Sequence, residues 1–243
     1  MKPLKEMKLA QRLLLILSII LINACSYLPE EQIVSDVLGV YETRDYIEIS
    51  PNFPDYSSTG FVFYPGGLVD PHSYVETLSR FAVSGTGHKV IIVKMPGNLA
   101  VFDSKQGAYM YEDFPFIDHW VIGGHSLGGA MACEAVKKYP DYFYGLVLMA
   151  AYPQKNTDLS EWEGSVLSLI GDSDEVIDHD IITARSINLP DKTIYYTISG
   201  GNHSYFGKYG IQEGDSPGTI SRENQAEITI NRIQKLYDDN GWD

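Results

Sequence analysis

Trp120-Val121-Ile122-Gly123-Gly124-His125-Ser126-Leu127-Gly128-Gly129-Ala130 reads as a short apolar strand that runs into a tight turn and out into a helix. The helical run continues over 129–138 and is stopped by Tyr139-Pro140. At its centre, Gly124-His125-Ser126-Leu127-Gly128 has the spacing G-x-S-x-G. In a strand–turn–helix this sharp, a serine takes a strained backbone conformation and its hydroxyl is pushed out at the end of a sheet. Side chains two residues to either side would collide, so both positions call for glycine. Ser126 is therefore the candidate nucleophile.

Outward from this turn, strand-like and helix-like segments alternate. Residues 46–49, 61–64, 90–93, 145–150, 165–170 and 192–198 read as strands, and most are continuously apolar or β-branched. Residues 72–83 carry apolar side chains at helical spacing, with Pro71 near their start; 99–110 is a weaker helical stretch interrupted by Gly107; 222–237 closes the chain as a helix. Apolar strands separated by helices predict one α/β domain over 37–243, with a mostly parallel sheet covered by helices on both faces. About a dozen residues join the strand near Ala151 to the one at Ser165, which leaves little or no room for a lid.

A serine hydroxyl needs a base to take its proton. Of six histidines, His203 has the right chain order and loop position, in Ser199-Gly200-Gly201-Asn202-His203 after the last strand. His125 lies inside the turn and cannot face its own neighbour usefully. His88 and His119 precede strands, at the far end of the sheet. His72 could line a pocket, and His179 follows the acid loop. A carboxylate behind the imidazole would fix its tautomer and stabilise its charged form. Gly171-Asp172-Ser173-Asp174-Glu175-Val176 follows a strand, with Asp174 the candidate acid and Asp172 its nearest competitor. Charge developing on a carbonyl oxygen needs preorganised N–H donors. Leu127 should supply one, and Gly67 or Leu68, in Tyr64-Pro65-Gly66-Gly67-Leu68, the other.

With these residues in place the chain resembles the α/β-hydrolase family across residues 40–240. Gly200-Gly201-Asn202-His203, Phe206-Gly207, Tyr209-Gly210, Gln212 and Gly214-Asp215 resemble the signature of a group of compact bacterial members, similar to dienelactone-hydrolase-like enzymes. Phe63-Tyr64-Pro65-Gly66-Gly67-Leu68-Val69 and Pro96-Gly97-Asn98-Leu99-Ala100 are similar to the same group's earlier motifs. The resemblance implies hydrolysis of a small-molecule carboxylic ester, thioester or lactone through an acyl-enzyme, with no metal or organic cofactor. An amidase or peptidase, or a non-catalytic binding lipoprotein on the same fold, are the alternatives. The recurrence of Tyr209, Gln212 and Asp215 implies either a braced histidine loop or a shaped pocket.

The first 24 residues stand apart. Lys2, Lys5, Lys8 and Arg12 precede a run over 13–22 that is apolar except for Ser18. This is a secretory signal layout, too short for a comfortable membrane span. Ile22-Asn23-Ala24-Cys25 resembles the lipobox of bacterial lipoproteins, which implies cleavage before Cys25, a lipid on its sulfur and a domain exported and tethered to the membrane's outer face. Residues 25–36 then read as the tether. Without residues 1–24 the chain carries 14 basic and 31 acidic residues, a formal charge of −17. Such a surface repels nucleic acid and anionic bilayers alike, so tethering falls to the lipid. Cys133, the other cysteine, is left without a partner and reads as a small core residue.

Overall fold

The computed structural model describes residues 27–54 and 56–242. The signal peptide and Cys25 lie outside the described residues. Eight strands form one sheet: β1 (Leu38–Glu42), β2 (Tyr46–Pro51), β3 (Thr59–Tyr64), β4 (Val90–Val93), β5 (His119–His125), β6 (Gly145–Met149), β7 (Ser165–Gly171) and β8 (Ile194–Ile198). Across the sheet they run β1-β2-β4-β3-β5-β6-β7-β8. β1 and β2 are antiparallel to their neighbours, and β4 through β8 are parallel. The helices are α1 (Val75–Ala82), α2 (Gln106–Asp113), α3 (Leu127–Lys138), α4 (His179–Arg185) and α5 (Arg222–Asn240).

The alternation of side chains along each central strand builds two cores. Phe61 and Phe63 of β3, Val90 and Ile92 of β4, and Val121 of β5 face one way, onto Leu78 and Phe81 of α1 and Ile230, Ile233 and Leu236 of α5. Val62 and Tyr64, Ile91 and Val93, and Trp120 and Ile122 face the other way, onto α2 and α3. Strands buried on both faces must be apolar throughout, which is why they read as unbroken runs. Cys133 is fully buried in this second core and unpaired.

The expected helix over 99–110 is split into a 3-10 turn at Ala100–Phe102 and α2. Tyr64 causes the break: its hydroxyl donates to the Ser104 carbonyl (2.7 Å) and accepts from the Gly107 N–H (2.8 Å). A Cβ at 107 would sit 2.7 Å from that hydroxyl, so the glycine serves close packing beneath the ring. The edge strand β1 carried no sequence signal that set it apart from the preceding residues.

From Tyr27 onward the expected tether is instead a strap laid on the domain. The Tyr27 N–H donates to the Leu68 carbonyl (2.8 Å), and the Asp70 N–H donates to the Tyr27 carbonyl (2.9 Å). Pro29 bridges to Tyr209, the Glu30 N–H donates to the Lys208 carbonyl, and Arg222 pairs with Glu30 at 2.6 Å. The Ile33 N–H reaches the Glu76 carboxylate at 2.9 Å. Such single-residue pairings leave no periodicity to read. Among the described residues no helix is long and apolar enough to cross a membrane.

Candidate active site

The turn after β5 has the geometry its glycines predict. Ser126 has φ 52° and ψ −122°, a conformation that costs on the order of 1–3 kcal/mol and persists only when its surroundings enforce it. They do so through backbone contacts. A Cβ on Gly124 would lie 2.5 Å from the Gly128 carbonyl carbon, and one on Gly128 would overlap the carbonyl oxygens of Tyr64 and Pro65. The Ser126 N–H donates to the Met149 carbonyl at 2.9 Å, tying the turn to β6.

His203 and Asp174 come together from the loops after β8 and β7. His203 Nδ1 lies 2.8 Å from Asp174 Oδ2, with both side chains almost wholly buried. The other carboxylate oxygen accepts the N–H groups of Val176 and Ile177, each at 2.9 Å. His179 Nε2 braces the same loop at the Asp174 carbonyl (3.0 Å). The buried Nε2 of His203 has no hydrogen-bond partner among the described residues. Ser126 and His203 line one cavity of about 400 Å³, together with Leu127, Ala130, Tyr152 and Ile177.

The competing acid has another task. Asp172 is exposed, and its carboxylate accepts the Gly200 N–H at 2.6 Å, which holds its pKa below the ordinary carboxylate value. It fastens the start of the histidine loop and does not sit behind the ring. The far end of that loop is fastened by Asp215, which accepts from both the N–H (2.8 Å) and the hydroxyl (2.5 Å) of Ser204. The Gln212 N–H donates to the Ser204 hydroxyl at 2.9 Å. Asp215 and the Gln212 backbone therefore brace the loop, while Tyr209 packs buried between Tyr27 and Tyr74.

Of the two candidates for the second oxyanion donor, Leu68 is engaged elsewhere: its N–H donates to the Asn98 carbonyl at 2.8 Å. That corrects the expectation for Leu68 and leaves Gly67. A Cβ on Gly67 would stand 3.0 Å from Leu127 Cδ2, so the two remaining donor-bearing residues are in contact.

Two buried side chains escaped the sequence reading. The Tyr74 hydroxyl accepts the Gly66 N–H (3.0 Å) and lies 2.9 Å from His125 Nδ1. The His125 ring centroid is 4.5 Å from that of His203. Burial first, and then the neighbouring His203, push the His125 pKa well below the ordinary histidine value, so it stays uncharged. His125 thus joins the Gly66-Gly67 loop to the candidate base. Its position inside the turn hid this, because the partners lie 51 and 78 residues away in the chain. His72 does not line the Ser126 cavity; it pairs with Asp70 (2.7 Å) and Glu42 (3.2 Å) at a separate pocket shared with Arg44 and Lys94. Burial lowers its pKa, but the two carboxylates outweigh this and raise it. No group of three or more potential metal-ligating side chains occurs among the described residues.

Ser126 on an enforced turn after the fifth strand, Asp174 after the seventh and His203 after the eighth stand at the carboxyl ends of an eight-stranded, mostly parallel sheet, and that architecture is the α/β-hydrolase fold. Residues 60–227 match the alpha/beta hydrolase family, and the chain belongs to it. Similar solved structures share its fold. A predicted CIB-like hydrolase from Thermoplasma acidophilum has a TM-score of 0.60 at 17% identity, covering 82% of this chain and 99% of its own. Est1E from Butyrivibrio proteoclasticus has a TM-score of 0.57 at 14% identity, covering 84% and 100%. A bacterial membrane phospholipase A has a TM-score of 0.61 at 12% identity, covering 93% and 91%. No curated protein matches the chain.

Proposed function

We propose that this hydrolase cleaves carboxylic esters, thioesters or lactones through Ser126, His203 and Asp174, and that a lipid on Cys25 anchors it to the outer face of a bacterial membrane. One observation carries the catalytic reading. Ser126, in a backbone conformation held by its surroundings, shares a cavity with a histidine whose Nδ1 is bound to a buried carboxylate and whose Nε2 is unpartnered among the described residues. That is the arrangement a general base needs.

Ser126 Oγ attacks the carbonyl carbon while His203 Nε2 takes its proton, and Asp174 stabilises the resulting imidazolium. The N–H groups of Leu127 and Gly67 receive the oxyanion. His203 then gives the proton to the leaving alcohol, and the acyl group stays on Ser126. Water, deprotonated by the same nitrogen, releases the acid and restores the serine. The cavity of about 400 Å³ is within the usual range for a small-molecule site.

The test is direct. The wild-type protein should release p-nitrophenol from a short-chain ester and be labelled by a fluorophosphonate, and Ser126→Ala should abolish both with an unchanged circular dichroism spectrum. Labelling that persists in Ser126→Ala would falsify the assignment. The mass of the purified protein should show a diacylglyceryl group on Cys25, and Cys25→Ser should lack it.

A further inference from the structure

The strap and the exposed side chains around it carry an orientation. Tyr27 is not at the end of a free tether. Its N–H is bound to Leu68, one residue beyond Gly67, and its hydroxyl accepts the Glu213 N–H on the histidine loop at 3.2 Å. Its ring packs 5.7 Å from Tyr209. Tyr27 is therefore bound both to the loop that carries Gly67 and to the loop that carries His203. Two peptide steps separate Tyr27 from Cys25, and covalent geometry limits them to about 7 Å. A lipid on Cys25 would thus be attached within that distance of Tyr27, at the end of the sheet that carries Ser126.

The same edge of the sheet displays large apolar side chains to solvent. Leu28 is 69% exposed, Phe102 68%, Val101 48% and Ile211 38%. Leu28 follows the strap residue bound to Leu68, Val101 and Phe102 lie on the loop after β4, and Ile211 lies on the histidine loop. All are at the carboxyl ends of the parallel strands, as Ser126 is. Acidic neighbours such as Glu30, Glu31 and Glu213 exclude a contact driven by charge, so apolar insertion beside the anchor is what this surface can offer a bilayer.

From the strap's fixed position and this apolar rim we infer that the anchor holds the catalytic edge against the bilayer, and that the substrate is the ester of an amphiphile residing in that surface. The inference rests on the lipid-anchored serine hydrolase proposed above and deepens it by naming where the substrate lies. An ester presented from the bilayer reaches Ser126 without leaving the interface. One that is dissolved reaches it only around the rim.

The experiment uses the full-length lipidated protein reconstituted in phosphatidylcholine vesicles. Phe102→Trp reports the catalytic edge. Phe116→Trp, on the loop before β5, reports the opposite end and is equally exposed in the wild type at 74%. With spin-labelled phospholipid present, the Phe102→Trp protein should be quenched at least twofold more than the Phe116→Trp protein. A 24-residue Gly/Ser insertion between Ser26 and Tyr27, with a root-mean-square span of about 27 Å, should erase that difference. It should also lower hydrolysis of a vesicle-embedded long-chain fluorogenic ester at least fivefold while leaving hydrolysis of a soluble short-chain ester unchanged. Equal quenching at the two ends, or an insertion that leaves the vesicle-ester rate intact, overturns the inference alone. A mass without lipid on Cys25 overturns the anchor and this inference together. Soluble-ester hydrolysis that survives Ser126→Ala overturns the catalytic reading but leaves the quenching result to decide the orientation.

Discussion

Asp174→Asn separates the geometry of the acid from its mere presence. The N–H groups of Val176 and Ile177 both point at Oδ1 from 2.9 Å, so an asparagine would turn its oxygen to accept them. Its NH₂ would then face His203 Nδ1, where a carboxylate oxygen now stands at 2.8 Å. Two donors cannot meet there, so the ring must carry its proton on Nε2, and a protonated Nε2 cannot take the proton of Ser126. The same tautomer error in another serine hydrolase costs about 10⁴ in kcat, which corresponds to about 5.4 kcal/mol of barrier. Asp172→Asn keeps an oxygen to accept the Gly200 N–H and leaves the histidine's tautomer alone, so its cost should stay under about tenfold. The assay is kcat on p-nitrophenyl acetate at pH 7.5 for both variants, with thermal melts to show that each is folded. If Asp172→Asn proves the costlier change, or if Asp174→Asn retains more than about a tenth of the rate, the acid has been wrongly assigned.

Tyr74→Phe leaves the Gly66 N–H and His125 Nδ1 without their shared hydroxyl, at about 1–3 kcal/mol for each buried group, so differential scanning calorimetry should show Tm lower by roughly 5–15 °C; an unchanged Tm would show that these hydrogen bonds contribute nothing to stability. Gly128→Ala forces a methyl group into the carbonyls of Tyr64 and Pro65. Overpacking of this kind costs about 1–3 kcal/mol and should also displace Ser126, so ester turnover should fall further than stability does, which parallel melts and rate measurements would reveal. His88, whose pKa burial lowers to about 4, gives a pH dependence of stability. Its folded-state pKa lies below the unfolded value, so its contribution is complete above about pH 6.5 and is lost as the pH falls towards 4. Denaturant unfolding should therefore show about 2 kcal/mol less stability at pH 5 than at pH 7 from this group, and His88→Phe should flatten that slope.

The sheet was legible because its strands are buried on both faces and announce themselves as apolar runs. The turn at Ser126 was legible because its glycines answer a steric demand that only this geometry makes. The order of Ser126, Asp174 and His203 could be proposed for the same reason: each follows a strand that the pattern had already located. What stayed hidden was whatever depends on distant partners. Nothing near Leu68 indicates that its N–H is taken by Asn98. Residues 27–36 lack periodicity because they pair one residue at a time with Leu68, Lys208 and Glu76. His125 was discounted from its place in the turn, yet its ring lies tilted against that of His203 and shares Tyr74 with the Gly66 loop. Sequence spacing records local shape; it does not record which loops meet.

The absence of a side chain at Gly128 has a dynamic consequence. With backbone lying directly on backbone at Tyr64 and Pro65, the nucleophile and the amide of Gly67 belong to one rigid block, and no rotamer can alter the gap between them. The imidazole arrives on a loop fixed in the same manner: a Cβ on Gly171 would lie 2.2 Å from the Gly201 carbonyl oxygen, and Gln225 holds both the N–H and the carbonyl of Asn202, at 2.9 and 2.8 Å. Proton acceptor and anion-binding pocket are therefore each seated by close backbone packing. Heat should take them apart in one step, so that turnover and the binding of a negatively charged transition-state mimic disappear together with the fold.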